Sequence, residues 1–339
     1  MKDMIIPKEK INTLVERALK EYKVVAPVDT EGVVLFKPIT DPSQMTLEFL
    51  NTKIPVKAVL LEQTETLFIF SRGKSTTVHC PENGSKVMVL GVRPCDAESL
   101  AVLDDVFLDE VGDPYATKRE NTVCVGLTCT APGVNCFCTS VDGSPFSAEH
   151  TDIHLTDIGD SYYVEVKTDK GDNLVKSMSD LFSPATEDHK KKKKEVEEKA
   201  VNAIQRHMHT DGLVERLDDL FESPYWRNIS LKCLGCAACT YVCPTCHCFD
   251  MQDETTLTKG ARIRVWDSCM CSEYTVHASG YNPRPERMNR IRNRVYHKYN
   301  YFPKNCAVIG CVGCGRCIDV CPVNIDIIDV VNKSSEVKP

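Results

Sequence analysis

The sequence predicts an α+β fold, with a mixed α/β domain followed by a mainly helical domain. Three observations lead to this prediction. Over the first half, short runs of β-branched and aromatic residues alternate with turns, as they do in strands of a sheet. A highly charged stretch then interrupts the chain. Beyond it, cysteines recur at gaps of two and three residues, a pattern that belongs to compact metal-binding loops rather than to a sheet.

The first domain is predicted to span residues 1–182. It opens with apolar residues at helical spacing from Ile11 to Leu19, which indicate one amphipathic helix. Six short runs then predict strands of the sheet. They are Val33–Phe36, Ala58–Leu61, Leu67–Phe70, Val87–Val92, Thr122–Leu127 and Tyr162–Val166.

Residues 183–212 are predicted to form a charged helical linker. Lys190–Lys194 precede Glu195, Glu197 and Glu198 at spacings of three and four, which favours a solvated helix with salt bridges along it. The second domain is expected over residues 213–339, with a basic insertion at 249–305 between its two cysteine motifs.

Composition restricts the class of protein. Nineteen cysteines is an unusual number, but an odd count, close clustering and an N-terminus without an apolar signal segment oppose a secreted disulfide framework. The net charge of -7 argues against a nucleic-acid-coating protein, and no run is long enough for a membrane helix. We therefore expect a cytoplasmic protein without membrane insertion and without nucleic acid as a partner.

The same cysteine motif, CxxCxxCxxxCP, occurs twice in the second domain. In ferredoxins with two clusters, the first three cysteines of such a motif bind one [4Fe–4S] cluster and the fourth binds the other. The predicted ligands of cluster 1 are Cys233, Cys236, Cys239 and Cys321, and those of cluster 2 are Cys243, Cys311, Cys314 and Cys317. Structural zinc is the alternative, although it is usually held by two separated CxxC pairs. The spacing of roughly seventy residues between the motifs suggests a helical ferredoxin-like domain.

Several further segments give the chain a resemblance to a known family over nearly its whole length. They are Glu65–Phe70, Gly91–Asp96, Asn135–Cys138, Cys243–Cys248, Trp266–Cys269 and Cys311–Cys317. With these the chain resembles the iron–sulfur beta subunit of cytoplasmic NAD(P)-linked [NiFe] hydrogenases, the sulfhydrogenases. That family is similar to an iron–sulfur component of anaerobic sulfite reductase and to one component of the flavin oxidoreductases coupled to heterodisulfide reductase.

The resemblance implies an electron conduit in a hetero-oligomer. One neighbour would be a subunit that binds flavin and NAD(P), and the other a catalytic subunit that could be a hydrogenase, a sulfite reductase or a heterodisulfide reductase. The sequence shows no dinucleotide, phosphate-loop or hydrolase fingerprint, so no flavin or nucleotide is expected in this chain. No catalytic residue is predicted.

Four cysteines of the first domain are candidates for a third [4Fe–4S] cluster. Cys95 and Cys129 follow predicted strands, and Cys136 and Cys138 lie in the next loop. The resembled family has cysteine at the matching places, whereas zinc or plain buried thiols are the alternatives. Cys80, Cys124 and Cys306 are predicted to be packing residues.

Cys246, Cys248 and Cys269 could form an additional site, or they could shield the clusters. Cysteine matches the family pattern at these three positions but not at Cys271, so a fourth cluster would lack a ligand. The basic run, which includes Arg294 and Lys298, is predicted to screen cluster charge or to bind a partner, and nucleic-acid binding is the alternative.

Three functions follow. The first is an electron-transfer subunit, the second a catalytic redox subunit with its chemistry near Cys246, Cys248 and Cys269, and the third a zinc-stapled interaction module.

Overall fold

The computed structural model describes residues 3–73, 75–81, 84–109 and 112–337. The strands are β1 Met4–Pro7, β2 Lys23–Thr30, β3 Val33–Pro38, β4 Thr64–Arg72, β5 Thr76–His79, β6 Val87–Val92, β7 Thr122–Leu127, β8 Ile153–Asp157, β9 Ser161–Val166, β10 Ser183–Pro184, β11 Phe249–Thr255 and β12 Lys259–Trp266.

The α-helices are α1 Ile11–Ala18, α2 Lys57–Leu60, α3 Pro94–Phe107, α4 Pro114–Glu120, α5 Asp169–Ser177, α6 Glu187–Asn202, α7 Leu213–Asp219, α8 Tyr225–Ser230, α9 Ala238–Tyr241, α10 Arg287–Tyr296, α11 Phe302–Cys306, α12 Arg316–Asp319 and α13 Ile327–Lys333. A π-helix, His297–Tyr301, lies between α10 and α11. Short 3₁₀ turns occur at Lys8–Lys10, Pro42–Gln44, Cys138–Ser140, Ser179–Leu181, Glu273–Thr275 and Ser334–Glu336.

The larger sheet has eight strands in the order β10-β1-β9-β8-β7-β6-β2-β3. Its central strands β2, β6, β7 and β8 are parallel, and the outer strands pair antiparallel. A parallel sheet is covered on both faces, which is why VMVLGV and TVCVGL read as nearly continuous apolar runs. Helices α1 and α5 cover one face, and α2, α3 and α4 cover the other.

The smaller sheet joins the two predicted domains. Its order is β11-β12-β4-β5, and β12 pairs antiparallel with β4. Under this pairing Arg264, only 3% exposed, contacts Glu65 at 2.5 Å and Asp113 at 2.7 Å. Part of the basic insertion therefore completes a sheet that begins in the first domain. The exact division at 182 and 213 stays a prediction.

The mixed α/β character of the chain is confirmed, and five of the six predicted strands lie within observed ones. Ala58–Leu61 is wrong, because these residues lie in or directly after the helical turn α2. A four-residue apolar run has too little periodicity to distinguish a strand from a buried turn of helix. Leu60 and Leu61 of this run pack with Leu100 and Leu103 in the core beneath α3.

The region from residue 213 contains α7 to α13 together with the hairpin β11–β12, which the sequence did not predict. Its core gathers Trp226, Leu217, Tyr296 and Val331. Within the predicted linker, residues Glu187–Asn202 form α6, where Lys193 pairs with Glu197 at 2.7 Å and Lys194 with Glu198 at 3.7 Å. Among the described residues, no helix is long and apolar enough to cross a membrane.

Candidate iron–sulfur centres

The two cysteine motifs share one backbone conformation. Gly235 and Ala237 in the first motif have φ of 73° and 62°, and Gly313 and Gly315 in the second have φ of 62° and 75°. Such left-handed residues turn the chain sharply. A single helical turn follows in each motif, α9 or α12, and carries the third cysteine. The sequence repeat is thus also a structural repeat.

The first three cysteines of the first motif line one cavity together with the fourth cysteine of the second motif. These four are Cys233, Cys236, Cys239 and Cys321. The remaining walls are mostly apolar, and Met270 and Ile291 are among them. This is the group of four that the crossed motif pattern predicts for cluster 1.

A second cavity is lined by the complementary set, Cys243, Cys311, Cys314 and Cys317. Phe137 and Tyr299 close it on the apolar side. The two cavities are neighbours, since Arg294 and Cys317 line both. The fourth cysteine of each motif therefore lies with the first three of the other.

Sulfur atoms of both sets accept hydrogen bonds. The amide of Gly235 donates to Cys233 Sγ at 3.3 Å, and the amide of Ile325 donates to Cys321 Sγ at 3.2 Å. In the second cavity the donor to Cys243 Sγ is the ammonium of Lys298, at 3.2 Å. Donors of this kind stabilise a thiolate.

The four cysteines of the first domain lie near the carboxyl ends of two parallel strands. Cys95 opens α3 after β6, and Cys129 follows β7, so both lie at the same edge of the sheet. Burial raises the pKa of Cys136 to about 11, and the neighbouring Cys129 adds to the effect. Burial likewise raises the pKa of Cys138 to about 12, with Cys136 and Cys129 contributing. The structure thus brings these thiols into one neighbourhood.

The second motif packs against this neighbourhood. The amide of Phe137 donates to the Gly313 carbonyl at 2.8 Å, and Asn51 Nδ2 donates to the Cys314 carbonyl at 3.3 Å. Arg316 forms a bidentate contact with Asp96 at 2.7 and 2.9 Å, and both side chains are buried. The loop around the second cavity and the cysteines of the first domain are therefore in direct contact.

The additional cysteines divide into two pairs. Cys246 interacts with Cys243, whereas Cys248 interacts with Cys269. The hydrogen bond from Cys269 lowers the pKa of Cys248 to about 6, although burial opposes it. The structure thus does not gather Cys246, Cys248 and Cys269 into one group of three. Within the described ranges, no three Cys, His, Asp or Glu side chains are placed to hold a single metal ion.

Cys80, Cys124 and Cys306, the three predicted packing cysteines, differ in how far they are exposed. Cys124 is buried, which agrees with the packing prediction, and Cys306 is partly buried. Cys80 is exposed, so its prediction as a packing residue is wrong, because it follows β5, a strand at the edge of the smaller sheet.

Four buried cations lie beside the cysteine groups, and in the described part of the chain none of them contacts a carboxylate. They are Lys57, Arg93, Arg294 and Lys298, all at most 8% exposed. Lys57 donates to the Cys246 carbonyl at 2.5 Å, and Arg93 donates to the Thr128 carbonyl at 2.7 Å. Burying a charge without a partner is costly. A negative charge close to these side chains would offset that cost.

Comparison with known proteins identifies the class. Residues 232–325 match the family model of the 4Fe-4S dicluster domain. The chain is 35% identical to sulfhydrogenase 2 subunit beta of Pyrococcus furiosus over 321 residues, and this alignment covers 94% of each chain.

The chain belongs to the sulfhydrogenase beta-subunit family.

No solved structure matches it. Membership confirms the resemblance that the motifs indicated. This sulfhydrogenase-family chain is an iron–sulfur electron-transfer subunit with a [4Fe–4S] domain in its C-terminal part.

The sequence named Arg294 and Lys298 as part of a basic run but missed Lys57 and Arg93. The run itself is not uniform, since Arg264 is neutralised by carboxylates and Arg262 pairs with Asp253 at the surface. The signal for Arg93 was available, because it immediately precedes Pro94 and Cys95 at the end of a parallel strand. Nothing local in the sequence marked Lys57.

Proposed function

We propose that this chain is an electron-relay subunit holding two [4Fe–4S] clusters in its dicluster domain and a third in its first domain. Cluster 1 would be held by Cys233, Cys236, Cys239 and Cys321, cluster 2 by Cys243, Cys311, Cys314 and Cys317, and cluster 3 by Cys95, Cys129, Cys136 and Cys138. When bound, such clusters supply one-electron transfer.

The observation that carries this proposal is the match between cysteine cavities and unpaired buried charge. Arg294 lines both cavities, and Lys298 donates directly to Cys243 Sγ. A [4Fe–4S] cluster with four thiolates is an anion, so its presence would offset cations that have no carboxylate partner among the described residues. In a cubane each thiolate binds a different iron, which suits four sulfurs arranged around a cavity.

Holding the clusters requires the thiols to lose their protons. Burial raises the pKa of Cys317 to about 12, while Arg294 lowers it. Burial also raises the pKa of Cys314, and Arg316 lowers it. Metal binding to such thiols releases protons, and the buried cations reduce the cost of forming thiolates.

The contacts favour one order for the relay. The residues that would hold cluster 3 contact the loop that would hold cluster 2 through Asn51 and the Phe137–Gly313 hydrogen bond, and Arg294 lines the cavities of both dicluster sites. The loop that would hold cluster 1 is partly open to solvent, since Cys236 is exposed and Leu234 is 62% exposed. Electrons would therefore pass between cluster 3 and cluster 1 by way of cluster 2.

The partners we propose are a flavin- and NAD(P)-binding subunit on one side and a catalytic redox subunit on the other, in a cytoplasmic complex. The relative from Pyrococcus furiosus is named as one subunit of a sulfhydrogenase. A pyridine nucleotide gives up a hydride, whereas a cubane accepts one electron at a time, so a flavin is needed to separate the two electrons.

The test is iron and sulfide analysis of the full chain after anaerobic reconstitution, with cysteine variants. We expect about twelve irons in the wild type, because three cubanes carry four each. Cys136→Ser should remove about four of them. Cys243→Ser should perturb the cluster with Cys311, Cys314 and Cys317 and leave the other motif's cluster intact. Cys80→Ser, at an exposed cysteine outside both cavities, is the control. Stoichiometric zinc in place of iron would overturn the proposal.

A further inference from the structure

Lys298 occupies an unusual position in the backbone. It is the second residue of the π-helix His297–Tyr301, inserted between α10 and α11. Single π-turns are rare in proteins, but those that occur are often found at functional sites. The extra residue redirects side chains relative to the helix on either side. Here the side chain is 4% exposed and lies against the second cavity.

All three hydrogen bonds of the ammonium are defined. Nζ donates to Cys243 Sγ at 3.2 Å, to Thr245 Oγ1 at 2.8 Å and to the Gly310 carbonyl at 2.9 Å. The backbone closes around it, since the Gly310 amide donates to the Lys298 carbonyl at 2.8 Å. A side chain on Gly310 would meet Lys298 Cα at 3.2 Å. The lysine is thus fixed with one donor on a sulfur atom.

The lysine is buried, being 4% exposed, and none of its three partners in the described structure is a carboxylate. The ammonium therefore contacts the Cys243 sulfur and no acidic side chain.

The hydrogen-bond donors to sulfur at the first cavity differ from Lys298, because they are uncharged. Cys233 and Cys321 accept from the backbone amides of Gly235 and Ile325, which are neutral. Hydrogen bonds from a charged donor are roughly twice as strong as neutral ones. Net charge and hydrogen bonds to the sulfurs set the reduction potential of a cluster, because each added electron makes the cluster more negative.

We propose that Lys298 raises the reduction potential of cluster 2 and so keeps the middle centre of the relay accessible to electrons from both neighbours. This inference rests on the proposed ligand set. Without the ammonium, cluster 2 would be harder to reduce, and electrons crossing the protein would meet a less favourable step in its middle. Lys298 is a positioning residue, since it acts through the Cys243 sulfur.

The experiment is an anaerobic redox titration of the reconstituted full chain, followed by electron paramagnetic resonance. Wild-type iron content and spectra are established first, so that failure to bind clusters is recognised as failure of the proposed function. Lys298→Met is expected to shift the midpoint of one cluster to lower potential, at unchanged iron content. Lys298→Arg keeps the charge and should restore most of the shift. Lys304→Met, at an exposed lysine paired with Asp218, is the matched control.

Thr245→Val tests the same idea without removing the charge. Thr245 Oγ1 lies 3.3 Å from Cys243 Sγ and 2.8 Å from Lys298 Nζ. Its loss should lower the same midpoint by less than Lys298→Met does, and this variant carries the test if the methionine variant cannot keep its iron. Unchanged midpoints in iron-replete Lys298→Met, or in Thr245→Val where the methionine variant fails, would overturn the inference.

Discussion

The two cysteine motifs have the same spacing and the same backbone, yet they meet different surroundings. The first motif turns outward, with Leu234 62% exposed and Cys236 also exposed. The second is pressed against the first domain, where Gly313 lies under Phe137 and Arg316 reaches Asp96. The same cysteine spacing is therefore compatible with two different settings, and the residues between the cysteines decide what each loop contacts.

The position after the second left-handed residue of each motif shows this most clearly. In the first motif it is Ala238, and in the second it is Arg316, which forms a buried ion pair with Asp96. Arg316→Met would leave that carboxylate, 1% exposed, without its charge partner. We expect a loss of about 3–5 kcal/mol of stability, measured by denaturant unfolding.

The double variant Arg316→Met with Asp96→Asn controls for the orphaned charge. It should recover a large part of the loss, because the remaining side chains are both neutral. Equal destabilisation in the single and double variants would contradict the role given to the ion pair. Ala238→Met, the matched change in the first motif, removes no ion pair and only adds volume at the cavity wall, so it is expected to cost less, about 1–3 kcal/mol.

A second comparison uses the glycine at the same place in each motif. Both glycines have positive φ, so an alanine at either position carries the strain of the left-handed conformation, about 1–2 kcal/mol. A Cβ on Gly313 would also lie 2.5 Å from Cys138 Cα, whereas one on Gly235 meets nothing closer than 3.9 Å.

We therefore expect Gly313→Ala to destabilise the chain by about 1–3 kcal/mol more than Gly235→Ala, because backbone atoms must move apart. Thermal unfolding of the two variants side by side measures the difference. Gly313→Ala should also disturb the cluster proposed for the first domain, which iron analysis would detect. Equal effects of the two substitutions would show that the second loop is not tightly docked.

The smallest effect is expected at Ala237, which has φ of 62° where the second motif has Gly315. Ala237→Gly relieves left-handed strain of about 1–2 kcal/mol, but it adds about 0.5–1 kcal/mol of backbone entropy to the unfolded chain. A net gain of about 0.5 kcal/mol is expected from denaturant titration. A loss of stability would mean that the Ala237 methyl, buried at the cavity wall, contributes more by packing.

The sequence predicted five strands of the larger and smaller sheets, and its grouping of the dicluster cysteines stays a prediction that the two cavities support. Continuous runs such as Val87–Val92 identify buried parallel strands, and the doubled motif indicates which cysteines belong together. It could not predict α2, since Ala58–Leu61 is too short for its periodicity to be decisive. It also missed Lys57 and the pairing of β12 with β4, because long-range contacts leave no local pattern.

The pairing of β12 with β4 also has a consequence for the order of events during synthesis. Until residues 259–266 emerge, β4 has only β5 as a partner in its sheet, and an isolated two-stranded hairpin is marginal in water. The edge of β4, with Ile69 47% exposed even in the finished fold, would stay uncovered over that interval. The four-stranded sheet is therefore completed only when residues 259–266 have left the ribosome, whereas the eight-stranded sheet, whose strands all lie within residues 4–184, does not have to wait for them.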